Sequence, residues 1–384
     1  MGENISWPAP ETISVLQFLT TVHFGFGARD RLVDVVGKTG ASRPLVVSDK
    51  GVAAAGVLAM ALSSLDNGEH LPRFLETPPN PTETAAREGA RFFNAERCDI
   101  VIGIGGGAAL DLAKAIAILA ASDAPLWEFC NRHNAPRPIE NPAPLILMPT
   151  TSGSGSEVGR SAVIVFDNGI KAGVGASGLV HAAICDPELT SRLPSHVTAV
   201  TGMDAISHCI ETFSSPVPNP PCDAIAIDGL KRGLAHIENA VVQGSSDKAS
   251  RWHMMMTSLQ GAVCFQKGMG AVHALSHPIG ALGYHHGTLN AIFMPAVLRY
   301  NREALGPKYD QLCAAIPNGK GGDIADYLDA LNKKLQIPQS LSSLRLTRDQ
   351  LASIPEQALK DNAHKTNPRP LVASDYTALI EAIY

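Results

Sequence analysis

Apolar positions follow two different rhythms along the chain. In the first half, short runs rich in Val, Ile and Leu recur at residues 44–48, 71–76, 99–104, 144–148, 162–166 and 181–185. Runs of this length without polar alternation are the pattern of strands covered on both faces. Between them, 52–64, 83–95 and 108–122 place apolar residues at helical spacing. Strands alternating with helices predict a parallel sheet, so residues 1–190 read as an α/β domain. After Asp186 and the LPSH segment at 193–196 the strand-like runs cease. Segments 196–213, 221–241, 247–265, 270–281, 323–335, 347–355 and 373–383 carry the helical period, with Pro/Gly-rich breaks at 216–221 and 317–322. Residues 191–384 are therefore expected to form a second, all-helical domain.

Three of the strand-like runs end in residues suited to a nucleotide. The run at 99–104 passes into Gly105, Gly106 and Gly107 and then a helical segment. Glycines at such a turn let backbone N–H groups and the helix dipole face a phosphate. Gly103 to Ala108 also fits G-x-G-x-x-A, but the acidic residue expected about 20 positions on is not evident, and a plain tight turn is the alternative. The run at 144–148 leads into PTTSGSGSEVGR, whose hydroxyls and bare amides can solvate phosphate or ribose. The run at 44–48 ends in Asp49, a carboxylate placed to accept from ribose hydroxyls and to repel a 2′-phosphate, which favours NAD over NADP. A Rossmann-like sheet that binds NAD at its strand ends accounts for all three.

The helical half carries a different chemistry. GMDAISHCIE holds Asp204 and His208, and GMGAVHALSHPIGALGYHHGT holds His273, His277 and His286. Asp204/His208 and His273/His277 are i,i+4 pairs, so each projects from one face of its helix, and two such pairs with a loop histidine can surround one cation. Imidazoles with one carboxylate and no thiolate suit Fe(II), Zn, Ni or Co better than Mg or Ca. A net positive centre of this kind polarises a substrate oxygen as a Lewis acid. Each histidine alone is more often a hydrogen-bonded structural residue. The grouping, with Gly202, Gly268, Gly270 and Gly287 beside it to permit close backbone approach, is what points to a metal.

Taken in order, LVVSDK, PNPT, GIGGGAALDLAK, PTTSGSGSEV, GMDAISHCIE, GMGAVHALSHPIGAL and HHGTLNAIFMP resemble the iron-containing (group III) alcohol dehydrogenase family, over a span from FGFGA at 24–28 to NPRP at 367–370. The resemblance implies an architecture shared with dehydroquinate synthase, a parallel Rossmann-like domain followed by an all-α domain. It implies metal ligands Asp204, His208, His273 and His286, with His277 a further histidine close to the metal. It also implies cofactor contacts at Gly105, Gly106, Gly107, Thr150, Thr151 and Ser154, with Asp49 near the adenosine ribose and Lys171 a further contact. NAD, a divalent metal (Fe2+ ahead of Zn2+) and a homo-oligomer, dimer or larger, belong to the same implication. The chain departs from the family at Ala108, where GGGA replaces the frequent GGGS. Its loop between His273 and His286 is one residue shorter than in propanediol-type members. The tandem His285/His286 offers two candidates for the fourth ligand, of which His286 directly precedes the glycine as the family's ligand does.

The expected reaction is hydride transfer between NAD(H) and a small alcohol or aldehyde in the interdomain cleft, with the metal polarising the substrate oxygen. His277, one turn from a ligand, is the candidate proton relay, or else a hydrogen-bonded support for a ligand. Lys267, six residues before His273, reads as solvated or, more sharply, as a cation aimed into the cleft at an anionic substrate tail. Two other chemistries remain open. A metallohydrolase would lack the glutamate of H-E-x-x-H and leave the glycine and hydroxyl turns unused. An NAD-recycling lyase of the dehydroquinate synthase type resembles the chain less in SGSGSEV and HALSH. The net charge of −5, without a basic aromatic patch, argues against a nucleic-acid partner. Seven scattered cysteines without C-x-x-C spacing point to a reducing, cytoplasmic compartment. The N-terminus has no basic and apolar leader pattern, and no apolar run reaches about 18 residues, so neither secretion nor a membrane span is expected.

Overall fold

The computed structural model describes residue 18 and residues 20–175, 178–317 and 322–384. The N-terminal leader reading and positions 318–321 of the break at 317–322 lie outside the described residues. The strands are β1 (Thr21–Phe24), β2 (Pro44–Val47), β3 (Arg73–Phe74), β4 (Ile100–Gly105), β5 (Leu145–Pro149), β6 (Ser161–Val165), β7 (Lys171–Gly175) and β8 (Val180–Cys185). Six of them form one sheet in the order β1-β8-β5-β4-β2-β3, and every neighbouring pair in it is parallel. Helices α1 (Leu32–Thr39), α2 (Lys50–Ala54), α3 (Val57–Ala61), α4 (Glu83–Ala95) and α5 (Gly107–Leu119) connect the strands.

Alternation along each strand explains the layers. Leu45, Val47, Val101, Leu145 and Leu147 pack against α4 and α5. Val46, Ile100, Ile102, Ile104, Ile146 and Met148 point the other way, toward Leu32 and Val35 of α1 and Val57 and Leu58 of α3. Both faces are thus buried, as continuous apolar runs require. Chain order reverses between β2 and β4, so Asp49 and Gly105–Gly107 flank the switch point, the place where open α/β sheets bind ligands.

Several elements differ from expectation. The run at 162–166 is not in the parallel sheet: β6 pairs with β7 as an antiparallel hairpin. The segment 52–64 is two helices rather than one, because Gly56 takes φ +71 beside the Arg192 guanidinium. β3 is only two residues long. After β8 no strand occurs among the described residues. Helices α6 (Ser195–Ser214), α7 (Pro220–Gln243), α8 (Lys248–Val263), α9 (Ala271–Ala281), α10 (His286–Leu305), α11 (Pro307–Ala314), α12 (Ile324–Lys334), α13 (Arg348–Leu351), α14 (Ile354–Leu359) and α15 (Ala373–Ala382) build that half. α10 and α11 were not expected, and α10 is a long helix despite Pro295 within it. The segment 347–355 divides into α13 and the start of α14. No helix among the described residues is long and apolar enough to cross a membrane.

α6 lies at the centre of the helical half and is buried on most sides, so its polar residues Asp204, His208, Glu211 and Thr212 sit inside the fold. The sheet and the helices meet through a small apolar cluster of Val158, Ala183, Cys185, Met255 and Ala262. Phe24 of β1 also meets Trp252 of α8 edge to face, with ring centroids 5.2 Å apart. The hydroxyl-rich loop after β5 is pinned there too, since Ser258 of α8 donates to the Gly153 carbonyl at 3.1 Å. Gly155 adopts φ +59, and a Cβ on it would stand 2.1 Å from the Ala262 Cβ, so only glycine allows this approach.

Beneath the same loop is a buried ionic network. Lys114 of α5 is fully buried and donates to Ser156 Oγ at 2.9 Å and the Ser161 carbonyl at 2.8 Å, with Asp111 Oδ1 at 3.3 Å. It ties α5 to the hydroxyl loop and to β6. Glu157 is buried beside this network, and desolvation pushes its carboxyl from an ordinary 4.5 up to about 7, against the partial opposition of Lys114. A folded-state pKa above the unfolded one favours the protonated carboxyl, so stability is fullest below about pH 4.5 and falls as pH rises to about 7. At about 1.4 kcal/mol per pH unit the loss is on the order of 3 kcal/mol. Glu157→Gln should therefore raise the melting temperature above pH 7 and leave it nearly unchanged near pH 4.5. Thermal denaturation across that range checks it, and a variant whose advantage is independent of pH would contradict the burial argument.

Candidate active site

Three helices bring the acidic and imidazole groups together. Asp204, His208 and Glu211 follow one another along α6, His273 and His277 stand one turn apart on α9, and His286 opens α10. Ligand-type atoms of Asp204, His208 and His273, all buried, lie within 4.8 Å of one another. His208 Nε2 is 3.5 Å from Asp204 Oδ1, and His286 Nε2 is 3.8 Å from the same oxygen. The His208 and His273 rings stack at 4.8 Å, and the His286 ring lies 5.1 Å from His273 and 5.3 Å from His277. α10 comes this close because residue 287 is glycine: a Cβ there would stand 2.3 Å from the Val200 carbonyl oxygen of α6. His286 is thus the first residue of a helix rather than a loop histidine, and the expectation of a loop is corrected. His285 instead caps α10, its Nδ1 accepting from the Thr288 amide at 3.4 Å.

The electrostatics of the cluster suit a divalent cation. Burial drives His208 down to about 4 and holds His286 well below its ordinary range, so both rings are neutral with a lone pair to offer. At His273 burial opposes the charged form, but the Glu211 carboxylate in contact with Nδ1 outweighs it and moves the pKa up. Glu211 also accepts from the Val272 amide at 2.8 Å. With Nδ1 engaged by Glu211, Nε2 of His273 is the nitrogen left for a ligand bond, the usual carboxylate–imidazole support of a metal site. One carboxylate and three imidazoles, without sulfur, match Fe(II) or Zn and not Ca or Mg. His277 stacks nearly parallel on His286 at 12°, and its Nδ1 lies 3.0 Å from Asp361 Oδ2.

At the carboxyl end of the sheet, the strand-end residues assemble as one surface. Gly106 caps α5, and Cβ atoms built on Gly106 and Gly107 would meet Thr151 Cγ2 at 3.3 Å and Ser154 Oγ at 2.6 Å. The glycine turn and the hydroxyl loop are therefore adjacent walls, and Thr150 joins them through its amide on the Gly105 carbonyl at 2.9 Å. Gly105 takes φ +157, and Asp49 Oδ2 would lie 3.7 Å from a Cβ on it. Asp49 caps α2 through the Val52 amide at 2.9 Å. Lys171, on β7, donates to Asn80 Oδ1 at 2.9 Å. Burial lowers its pKa, while the charges of Asp111 and Asp204 oppose that shift. Its ammonium stands 3.3 Å from a Cβ built on Gly280 of α9, so it spans the two halves.

Lys267 is the correction. It is fully buried and ion-paired with Asp223 in the first turn of α7, with Lys308 Nζ 3.5 Å from the other oxygen of that carboxylate. A buried ammonium without a counter-charge is costly, and this one already has its partner. It is neither solvated nor aimed at a substrate. Glu211, Asn290 and Asp361 are contributors that went unread. Glu211 continues the Asp204/His208 face by three residues and Asn290 lies four after His286, so helical spacing could have found both. Asp361 lies 84 residues from His277, and no local pattern signals it.

Two family models match the chain, iron-containing alcohol dehydrogenase over residues 20–187 and the Fe-containing alcohol dehydrogenase family C-terminal domain over residues 198–384. The 4-hydroxybutyrate dehydrogenase of Cupriavidus necator is 45% identical over 381 residues, covering 96% of this chain and 99% of that protein. Among solved structures, 1,3-propanediol oxidoreductase superposes with a TM-score of 0.89 at 29% identity, covering 97% of this chain and all of that one. Sulfoacetaldehyde reductase from Bifidobacterium kashiwanohense, in complex with NAD+, gives 0.86 at 26% identity, covering 97% and 99%. With nearly every described residue inside one family's two models, and full-length relatives in sequence and in shape, the chain belongs to the iron-containing alcohol dehydrogenase family.

Proposed function

We propose that this enzyme interconverts a short ω-hydroxy acid and its semialdehyde, using NAD and a divalent metal, Fe2+ or Zn2+. The observation that carries the dehydrogenase reading is the convergence of Asp204, His208, His273 and His286 opposite the glycine and hydroxyl walls, within one family's fold. The substrate class rests on the 45% identity to a 4-hydroxybutyrate dehydrogenase, reinforced by the sulfoacetaldehyde reductase likeness, since both names carry a short anionic molecule. The hydrolase and lyase alternatives find no support in family or relatives.

In this reading Asp204, His208, His273 and His286 hold the cation, which supplies Lewis-acid polarisation of the substrate oxygen, and NAD supplies the hydride acceptor. The Gly105–Gly107 amides at the start of α5, with Thr150, Thr151 and Ser154, take the pyrophosphate. Asp49 would accept from the adenosine ribose hydroxyls, and Lys171, between β7 and α9, would make a further contact to the cofactor. His277 would accept the substrate's hydroxyl proton: Asp361 fixes its Nδ1, which leaves Nε2 as the atom to gain and pass on the proton. Recognition of the substrate's anionic tail does not run through Lys267, whose charge Asp223 already matches.

The division into residues 1–190 and 191–384 is proposed as the functional one, cofactor on the first part and metal on the second. A homo-oligomer, dimer or larger, is proposed from the family resemblance. The cytoplasm is the proposed compartment, in keeping with seven cysteines that are all free thiols.

Metal analysis separates the histidine roles. His208→Ala and His273→Ala should lose bound metal and turnover while NAD binding persists, whereas His277→Ala should keep the metal and lose kcat. Full metal occupancy in the first two would contradict the ligand set, and metal loss in the third would make His277 a ligand. NADH formation by the metal-loaded enzyme tests the substrate class. Oxidation of 4-hydroxybutyrate should exceed that of butan-1-ol by at least about tenfold in kcat/KM, equivalent to about 1.4 kcal/mol of transition-state discrimination. Equal rates, or preference for the plain alcohol, would overturn the hydroxy-acid reading and leave the family activity intact.

A further inference from the structure

α10 brings a second polar side chain to the cluster, one turn after His286. Asn290 is fully buried. Its Nδ2 donates to Asp204 Oδ1 at 2.7 Å and stands 3.2 Å from His273 Nε2 and 3.1 Å from His286 Nε2. One amide nitrogen is therefore within hydrogen-bond reach of acceptors on α6, α9 and α10 together. The amide oxygen is buried without a hydrogen-bond partner, so the side chain is not held here by demands on its other end.

The three contacts are not equivalent. With Nδ1 of His273 engaged by Glu211, its Nε2 offers one lone pair, and that pair can point at a cation or at the amide but not at both. The same single-acceptor limit applies to His286 Nε2 when its ring is neutral. A carboxylate has two oxygens and about four acceptor sites, so Asp204 can accept from Asn290 and bind a cation at once. It is also the shortest of the three contacts and the one with a full charge on the acceptor, which makes it the strongest.

We infer that Asn290 is a positioning residue for the metal centre: its amide fixes the Asp204 carboxylate on the face of α6 that meets His273 and His286, and so sets how tightly the cation is held. The inference rests on the reading of Asp204, His208, His273 and His286 as ligands. Asn290 touches the one anionic donor, and its neighbour His286 lies one turn earlier on the same face of α10. Loss of the amide frees a side chain whose orientation all the other ligands share.

Direct metal binding is the test. The full-length protein is stripped with a chelator and titrated with Zn2+ in competition with a chromophoric chelator, and the Co2+-loaded form is followed by its visible absorption. Asn290→Ala and the similarly branched Asn290→Leu should weaken Zn2+ binding by roughly 10–100-fold, the usual cost of losing an outer partner of a metal ligand, and should alter the Co2+ spectrum. Asn332→Ala serves as the control. Asn332 donates to the Ala291 carbonyl of α10 at 2.7 Å, so its loss lowers the melting temperature without touching a ligand and should leave affinity and spectrum unchanged. Should Asn290→Ala fail to fold, Asn290→Leu keeps the core filled and carries the comparison. Wild-type affinity and spectrum in Asn290→Leu would overturn the inference, as would equal losses in Asn332→Ala. His273→Ala distinguishes the two levels: if it binds Zn2+ like wild type, the ligand reading itself fails, and if it alone loses Zn2+, only the role of Asn290 falls.

Discussion

Two buried carboxylates among buried imidazoles set the terms for the rest of this molecule. Asp204 and Glu211 are each 5% exposed, and burial holds His208 and His286 in the neutral form. In such surroundings the effective dielectric is low, and negative charge on α6 is stabilised by a cation or by well-aimed hydrogen bonds. The division of labour follows. Glu211 spends its oxygens on the Val272 amide and on His273 Nδ1, which orients an imidazole. Asp204 is left near the imidazoles of His208, His273 and His286, where a divalent ion would complete the charge balance. A helix that would be unfavourable as a simple core element, with Asp204, His208, Glu211 and Thr212 all inside, fits the proposed role as the spine of a metal site.

The second constraint is the junction between sheet and helices. The glycine turn, the hydroxyl loop and Asp49 lie at the carboxyl ends of β4, β5 and β2, and in their proposed cofactor role they would serve only with the metal opposite. Apolar contact of Val158, Ala183 and Cys185 with Met255 and Ala262 fixes that relation, and the bond from Ser258 to the Gly153 carbonyl draws the hydroxyl loop onto α8. Buried Lys114 ties the same loop down from the sheet side. Lys171 reaches from β7 to α9 across the remaining gap. The reacting groups of a hydride transfer must meet at close range, so rigidity at this junction matters more to turnover than rigidity elsewhere.

Much of this was legible in the chain, for definable reasons. Runs such as 99–104 are apolar throughout because both faces of the sheet are covered, and the glycines and Asp49 at their ends marked the ligand-binding edge, whereas the strand order was not legible. The i,i+4 pairs Asp204/His208 and His273/His277 announced the cluster because helical geometry is regular over one turn. β1 and β7 escaped because TVHF is half exposed and KAGVG carries lysine and glycines, so neither shows a buried-strand pattern. α10 escaped because Pro295 and the HHG start resemble interruptions, whereas the helix continues through the proline. That omission is what turned His286 into a loop histidine and hid Asn290. Lys267 was misread because its partner, Asp223, is 44 residues away and only packing of α7 against the turn brings them together. Long-range pairings such as this and His277 with Asp361 leave no trace at the level of local spacing.

The central claim is the composition of the metal centre, and X-ray absorption at the metal edge of the iron- or zinc-loaded protein tests it most directly. The account predicts a first shell of nitrogen and oxygen only, at roughly 2.0–2.2 Å, with the multiple scattering of three imidazoles. Sulfur in the first shell, two or fewer imidazoles, or a protein that retains no metal after loading would contradict it.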